Sequence, residues 1–278
     1  MDKAALLDKM RVSGDERLLL SQVLDRRRQA VKYASPASTD FLSPHEQALA
    51  SDLLRLAPAS DVTYLFTGGP SDAERKILCF LPDWMSPGTL SPDEPAAALP
   101  DSIAAALPIR ALRAQWHDAD ALSHRDLLGG LMGLGITRGK IGDIYTGDAS
   151  ADILALDSVT EFLLQNWTSA GRVRLSVTQI PLDEVRVPPR QSVEIRDTVS
   201  STRLDSVLSS GFRLPRSKAA ELVRAGRVQV NWLDCDKPDK LLQPGDQISA
   251  RGFGRFTLDR TGELTRKGRI PVFITRYL

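Results

Sequence analysis

Between Lys3 and about Leu56 apolar residues return at helical spacing. Leu18, Leu19, Leu20, Val23 and Leu24 form one stripe, which runs into the basic triplet Arg26-Arg27-Arg28. A second helix is predicted from Ser43, with Ser43 as the N-cap, Pro44 at the first helical position and Glu46 at the third. Val62–Phe66 and Lys76–Leu81 read as strands around the turn-rich GGPSD. Five prolines between Pro82 and Pro100 predict a loop, followed by a short helix over Asp101–Ala106.

The spacing then alternates between strand and helix periods. Ile109–Trp116 predicts a strand, and Ser123 opens a helix with Asp126 three residues on and Leu127, Leu128, Leu131 and Met132 as its stripe. Gly133 and Gly135 end that helix. Strands follow at Ile141–Tyr145 and Asp152–Leu156, split by Gly147-Asp148, and a helix runs from Ser158 to about Thr168 with Val159, Phe162 and Leu163 on one face. Arg172–Ile180 alternates as a strand. The order is β-α-β-β-α-β, the split pattern of ferredoxin-like and RRM-like domains, a fold that hosts many functions.

Past a hinge at Val187-Pro188-Pro189, two short helices are predicted, Arg203–Ser210 and Arg216–Ala225, closed by Gly211 and Gly226. Strands follow at Arg227–Asn231, Gln247–Arg251, Phe256–Leu258 and Ile270–Tyr277. The expected architecture is α+β in three parts: an N-terminal α/β domain over 1–106, an RRM-like βαββαβ domain over 107–187, and a C-terminal domain over 198–278.

Composition adds exclusions. The chain has 278 residues, 42% hydrophobic and 26% charged, as in ordinary globular proteins. No stretch approaches the ~20 apolar residues of a membrane span, and the charged N-terminus lacks the apolar centre of a signal peptide, so no membrane insertion and a cytoplasmic location are expected. Two cysteines and three histidines fit neither a disulfide framework nor a zinc site; no metal is expected. The net charge of +1 conceals a polarity: residues 198–278 hold 15 Lys/Arg against 8 Asp/Glu, and the rest of the chain 21 against 27. A basic third on an acidic body suits a polyanion-binding module.

The segment from Arg203 to Gly252 carries the most specific signal. Thr202 is expected to cap its first helix with Asp205 at the third position, and Leu204, Val207 and Leu208 to pack against Ala219, Leu222 and Val223. Basic side chains then gather near the inter-helix turn, a compact phosphate-binding surface suited to structured RNA. The matches are Arg203-Leu204-Asp205, Arg216-Ser217, Ala219-x-x-Leu222-Val223, Gly226-x-Val228-x-Val230-Asn231 and Gly245-Asp246. This ordered set resembles the S4 RNA-binding domain. Trp232 stands where that family usually has glycine, so a different turn is expected, and Pro215 replaces its usual serine cap. The resemblance implies RNA contacts from Arg203, Arg213, Arg216, Ser217, Lys218, Arg224, Arg227, Asn231 and Arg251.

Leu122–Ile144, LSHRDLLGGLMGLGITRGKIGDI, is similar to the signature of the YlmH-type ribosome-associated proteins, and Thr67–Phe80 to their N-terminal domain. Within that group the chain resembles the cyanobacterial and plastid branch known as photosystem II S4 domain proteins. The resemblance implies an RNA-binding factor on the large ribosomal subunit, contacting ribosomal RNA or tRNA in translation quality control. Its partners are then RNA and the ribosome, and it acts as a monomer without a cofactor. His124 and Arg125 in the first turn of a helix, and Arg138 and Lys140 around Gly139, are expected to form a second contact surface, with Asp143 orienting one of the basic groups.

No catalytic residue is assigned. Gly129–Gly135 ends an amphipathic helix and does not link a strand to a helix as a nucleotide-binding loop does. Asp118, Asp120 and Asp126 lie near His117 and His124 without a spacing that aligns them. Two alternatives stay open: a photosystem-associated assembly factor with RNA binding secondary, and an S4-bearing RNA-modifying enzyme.

Overall fold

The computed structural model describes residues 3–57, 62–85, 98–117 and 121–278, and the chain divides into two compact units, Met1–Pro188 and Pro189–Leu278.

The first unit opens with helices α1 (Lys3–Met10) and α2 (Gly14–Tyr33), the two-residue strand β1 (Ala37–Ser38) and helix α3 (Pro44–Leu56). The Ser43 box forms as expected: Ser43 Oγ accepts from the Glu46 amide, and Glu46 Oε2 accepts from the Ser43 amide at 2.6 Å. In α2 the stripe narrows to Leu20, Val23 and Leu24, while Leu18 faces solvent. Strands β2 (Val62–Thr67) and β3 (Ile77–Pro82) pair antiparallel, giving the sheet order β1-β3-β2. The central strand β3 is buried at every position.

The short helix α4 (Asp101–Ala106) leads into β4 (Ile109–Gln115), α5 (His124–Gly133), β5 (Ile141–Thr146), β6 (Ser150–Leu156), α6 (Asp157–Asn166), β7 (Ser169–Ala170), β8 (Val173–Arg174) and β9 (Ser176–Ile180). The strand expected over 172–180 is split in two. Gly171, at φ +58°, turns β8 back on β7, and β9 then joins the main sheet. That sheet is antiparallel in the order β5-β6-β4-β9, the strand order of a β-α-β-β-α-β unit.

Both faces of this sheet are buried, which explains why β6 lacks alternation. Leu112, Ala114, Ile153 and Ala155 pack with Leu127 and Leu131 of α5 and with Leu163 and Trp167. Ile109, Ala111, Leu154 and Leu156 pack against Phe41, Leu65, Ile77, Cys79 and Leu81. The blocks expected on either side of residue 106 therefore share one core. Phe162, expected inside, is 43% exposed; Trp167 takes the buried place.

The second unit begins with β10 (Ser192–Val199), then α7 (Leu204–Phe212), α8 (Arg216–Arg224), β11 (Val228–Val230), β12 (Leu233–Asp234), β13 (Gln247–Ala250), β14 (Gly254–Thr261) and β15 (Ile270–Tyr277). The antiparallel sheet runs β10-β15-β14-β13-β11-β12. β10 pairs with β15 along its whole length, Ser192 opposite Tyr277 and Val199 opposite Ile270, so this unit starts well before residue 198. Its charged sequence hides it, because Ile195 and Val199 are its only fully buried apolar positions. One face of the sheet, with Val228, Ile248, Phe256, Leu258, Val272 and Ile274, covers α7 and α8.

Two glycines differ in role. Gly226 sits at φ +65° just past α8, a left-handed closure that glycine adopts without steric cost. Gly211 lies inside α7, which runs on to Phe212; a Cβ there would meet Cε1 of Phe256 at 2.4 Å. It is a close-approach residue, and Arg213 at φ +53° closes the helix instead.

Candidate nucleic-acid interface

The helix pair of the second unit presents the basic side chains unequally. The expected cap from Thr202 is absent: Arg203 is the N-cap of α7 and no side chain caps it. The first amides of α7 are satisfied by another loop, with Leu204 N–H donating to Lys240 O at 2.8 Å and Asp205 N–H to Pro238 O at 3.0 Å. Asp205 is thereby released from capping and serves as a buried acceptor, 6% exposed. Arg216 donates to it through Nε at 2.9 Å and Nη2 at 3.2 Å, and Arg203 Nε lies at 3.5 Å. Burial pushes this carboxyl up, but the Arg216 hydrogen bonds and charge, with Arg203 behind them, outweigh burial and hold it below the usual range.

A lowered pKa stabilises the fold above the ordinary carboxylate range, and the contribution is lost as pH falls through the lowered value. Asp205→Ala is expected to cost about 2–3 kcal/mol, less than the ~3–5 kcal/mol of a fully buried pair because Arg216 is half exposed. An acid series of unfolding curves checks this: the wild type should lose its advantage over Asp205→Asn as pH drops below the usual carboxylate range.

Pro215 occupies the N-cap of α8, the place expected for it, with Arg216, Ser217 and Lys218 exposed in the first turn and no acidic residue among them. Lys218 reaches Glu221 at 2.9 Å. Arg213 and Arg224 are exposed and make no ion pair among the described residues. Arg227 and Arg251 are exposed and joined, Arg227 Nη2 donating to Arg251 O at 2.9 Å. Asn231 has an internal role: its Nδ2 donates to Asp246 at 2.7 Å and its Oδ1 accepts from the Gln247 amide at 2.9 Å. Asn231 and Trp232, at φ +51° and +68°, form the two-residue turn between β11 and β12. Trp232 thus holds the left-handed conformation that a glycine would adopt freely.

The four side chains expected to form a second surface separate into two pairs. Ser123 and Asp126 close a full capping box, Ser123 N–H donating to Asp126 Oδ2 at 2.9 Å and Ser123 Oγ–H at 2.6 Å. The Ser123 hydroxyl bond, followed by that of its amide, holds the Asp126 carboxyl below its usual range. The first turn of α5 therefore already carries its anion, while His124 and Arg125 point to solvent.

Arg138 and Lys140 are committed inside the first unit. Arg138 Nη1 donates to the carbonyls of Ile141 and Gly142, and Lys140 Nζ to Asp40 at 2.7 Å. Burial, with repulsion from Arg75, pushes Arg138 down to about 10. Arg75 donates to Ile141 O and Phe41 O, and Asp143, instead of orienting a cation, accepts the amides of Glu74 and Arg75 at 2.6 and 3.3 Å. Burial raises the Asp143 carboxyl. Phe41 N–H donates to Gly139 O at 2.8 Å, and Gly142 leaves room for the Phe41 ring, which a Cβ would approach to 2.8 Å. The turn that carries the sequence signature thus fastens the N-terminal block to the four-stranded sheet. Asp40, Phe41 and Arg75 lie too far along the chain for spacing to reveal these partners. Arg138→Ala should lower the stability of this unit by about 1–3 kcal/mol, since the Gly142 carbonyl loses its donor; chemical denaturation followed at Trp167 would measure it.

The same packing removes the base-stacking surface of an RRM-like domain, because the sheet face away from α5 and α6 lies under Phe41, Leu65 and Leu81. Among the described residues no cluster of three or more His, Cys, Asp or Glu is placed to hold a metal, and no helix is long and apolar enough to cross a membrane. Asp118 and Asp120 lie outside the described residues. Cys79 is buried and free, its thiol pushed up to about 12 by burial.

Residues 118–184 match the family described as "Putative RNA-binding domain in YlmH", and residues 202–248 match the S4 domain. The chain is 34% identical to Ribosome-associated protein quality control protein P2 of Bacillus subtilis (strain 168), over 94% of this chain and 95% of that protein. A solved structure of the cell division protein ylmH from Streptococcus pneumoniae is 19% identical, with a TM-score of 0.46, covering 63% of this chain and 97% of that one. With both domains in order and a relative aligned end to end, the chain belongs to the YlmH family of S4-domain RNA-binding proteins.

Proposed function

We propose that this protein binds ribosomal RNA on the large ribosomal subunit, next to tRNA, and acts there in translation quality control. It does so as a cytoplasmic monomer that needs neither cofactor nor metal and performs no chemistry on the RNA. The observation that carries this reading is the first turn of α8. No side chain caps it, Arg216, Ser217 and Lys218 are exposed in it with no acidic residue among them, and Arg213 just before it and Arg224 at the far end of α8 are exposed and make no ion pair among the described residues. Backbone donors and guanidinium groups together suit phosphate oxygens. Asp205 pre-orients Arg216 by binding Nε and Nη2, leaving Nη1 for the ligand. An exposed basic helix edge of this kind suits the shape of a folded RNA and does not require an extended groove. Similarity to a ribosome-associated quality control protein supports that setting and lends nothing to a photosystem-associated role. Crosslinking in cells followed by sequencing tests the proposal: reads should concentrate in large-subunit ribosomal RNA and tRNA. A single messenger class, or a modified transcript, would contradict it.

A further inference from the structure

The sheet of the second unit has another face, turned away from α7 and α8, which the RNA contact described above does not use. The register fixes which residues line it. Ile195, Ile274 and Leu258 are aligned across β10, β15 and β14 and point into the core, so Arg196, Phe273, Thr275, Tyr277, Arg255 and Thr257 point outward. Beyond Leu258 a register shift sets Arg260 opposite Phe273.

The outward side chains form stacks. The Arg260 guanidinium lies 3.3 Å from the Phe273 ring centroid, with Arg196 at 5.7 Å from the same ring. Arg255 lies 5.2 Å from the Tyr277 ring and 5.5 Å from that of Trp232. A cleft of about 310 Å³ opens over Phe273 between Arg196 and Arg260, with Glu194 and Asp259 at its margin. Asp259 is engaged by Thr275 Oγ1 at 2.8 Å.

We infer that this face binds single-stranded RNA, with bases stacking on Phe273, Tyr277 and Trp232 and on the guanidinium groups that lie over these rings. Two features favour RNA over a protein partner. The outward positions of β10, β11, β13, β14 and β15 include no Leu, Ile, Val or Met, so the rings stand among cations and hydroxyls with no aliphatic patch around them. Arginines alternate with rings, the combination that binds phosphates and base faces without reading sequence. Phe273 and Tyr277 are four residues apart on one strand, ~13 Å, a span suited to an extended strand with bases splayed out and not to a duplex. Trp232 contributes at a conformational cost, since its φ of +68° is unfavourable for a bulky residue and Asn231 and Trp232 are the two turn residues. Except for Trp232, these residues lie outside the S4 match, which ends at 248.

The test is fluorescence anisotropy of the full chain with a labelled oligouridylate of about ten nucleotides at low salt. Phe273→Ala and Trp232→Gly should each weaken binding about ten-fold. Arg260→Lys, which keeps the charge and loses the plane, should also weaken it. Trp232→Gly suits the turn better than tryptophan, so misfolding cannot account for its loss. Binding of a structured ribosomal RNA fragment should persist in these variants and fall in Arg213→Ala/Arg224→Ala, which separates this face from the helix pair. The inference is overturned if the wild type ignores the oligouridylate, if Trp232→Gly and Phe273→Ala bind it like the wild type, or if sedimentation shows the face covered by a second copy that Phe273→Ala releases.

Discussion

Gly211→Ala is expected to destabilise the second unit by about 2–3 kcal/mol, although alanine for glycine in an open helix gains roughly 0.5–1 kcal/mol. The sign turns on one contact. A Cβ at 211 would lie 2.4, 2.7 and 2.8 Å from Cε1, Cδ1 and Cζ of Phe256, a side chain with no solvent exposure. The ring cannot simply swing away, because it packs edge-on against Phe212 at 5.0 Å in a core closed by Leu208, Val223 and Val272. Relief must come from shifting α7 off the sheet, which also disturbs Asp205 and the basic edge it organises. Combining the change with Phe256→Leu should recover part of the loss, since the two sites share the contact. Hydrogen exchange of the α7 and β14 amides would report both variants; faster exchange is expected for Gly211→Ala and partial recovery for the pair. Unchanged or slower exchange in Gly211→Ala would mean that the Phe256 ring gives way and that this contact does not set the cost of a Cβ at 211.

That contrast shows which parts of the structure the amino-acid order carries. The boxes at Ser43–Glu46 and Ser123–Asp126 depend on residues three apart, and both form as expected. The strand and helix order of the four-stranded sheet follows from local periodicity. Partner choice over long separations is another matter. Asp205 is three residues after Thr202, as a capping residue would be, yet the loop at 238–240 takes over the amides and Arg216 claims the carboxylate. Arg138 and Lys140 look like projecting cations until Phe41, Asp40 and Arg75 come across from the N-terminal block. β10 escapes notice because an edge strand with one buried face tolerates charges at alternate positions. The basic positions of the helix pair are legible as a set, but not which of them are paired.

The same distinction sets the largest effect expected on binding. Arg213, Lys218 and Arg224 project from the exposed edge of the helix pair, two of them without an ion-pair partner among the described residues and Lys218 held only by the exposed Glu221. None supports the core, so replacing all three with Ala should leave the fold intact. Each phosphate left without its cation takes roughly 0.7–0.9 from the slope of log affinity against log salt. At about ten-fold per charged group, the triple variant should bind structured ribosomal RNA on the order of 10²–10³ times more weakly. Arg203 and Arg216 would make poorer probes, since their removal also strips the buried Asp205 of its partners.

A salt series of binding titrations on isolated large ribosomal subunits, comparing the wild type with this triple variant, bears most directly on the proposed role. The slope should flatten by roughly two to three with hydrogen exchange of the core unchanged; an equal slope and equal affinity in a folded variant would show that the helix pair does not carry the contact.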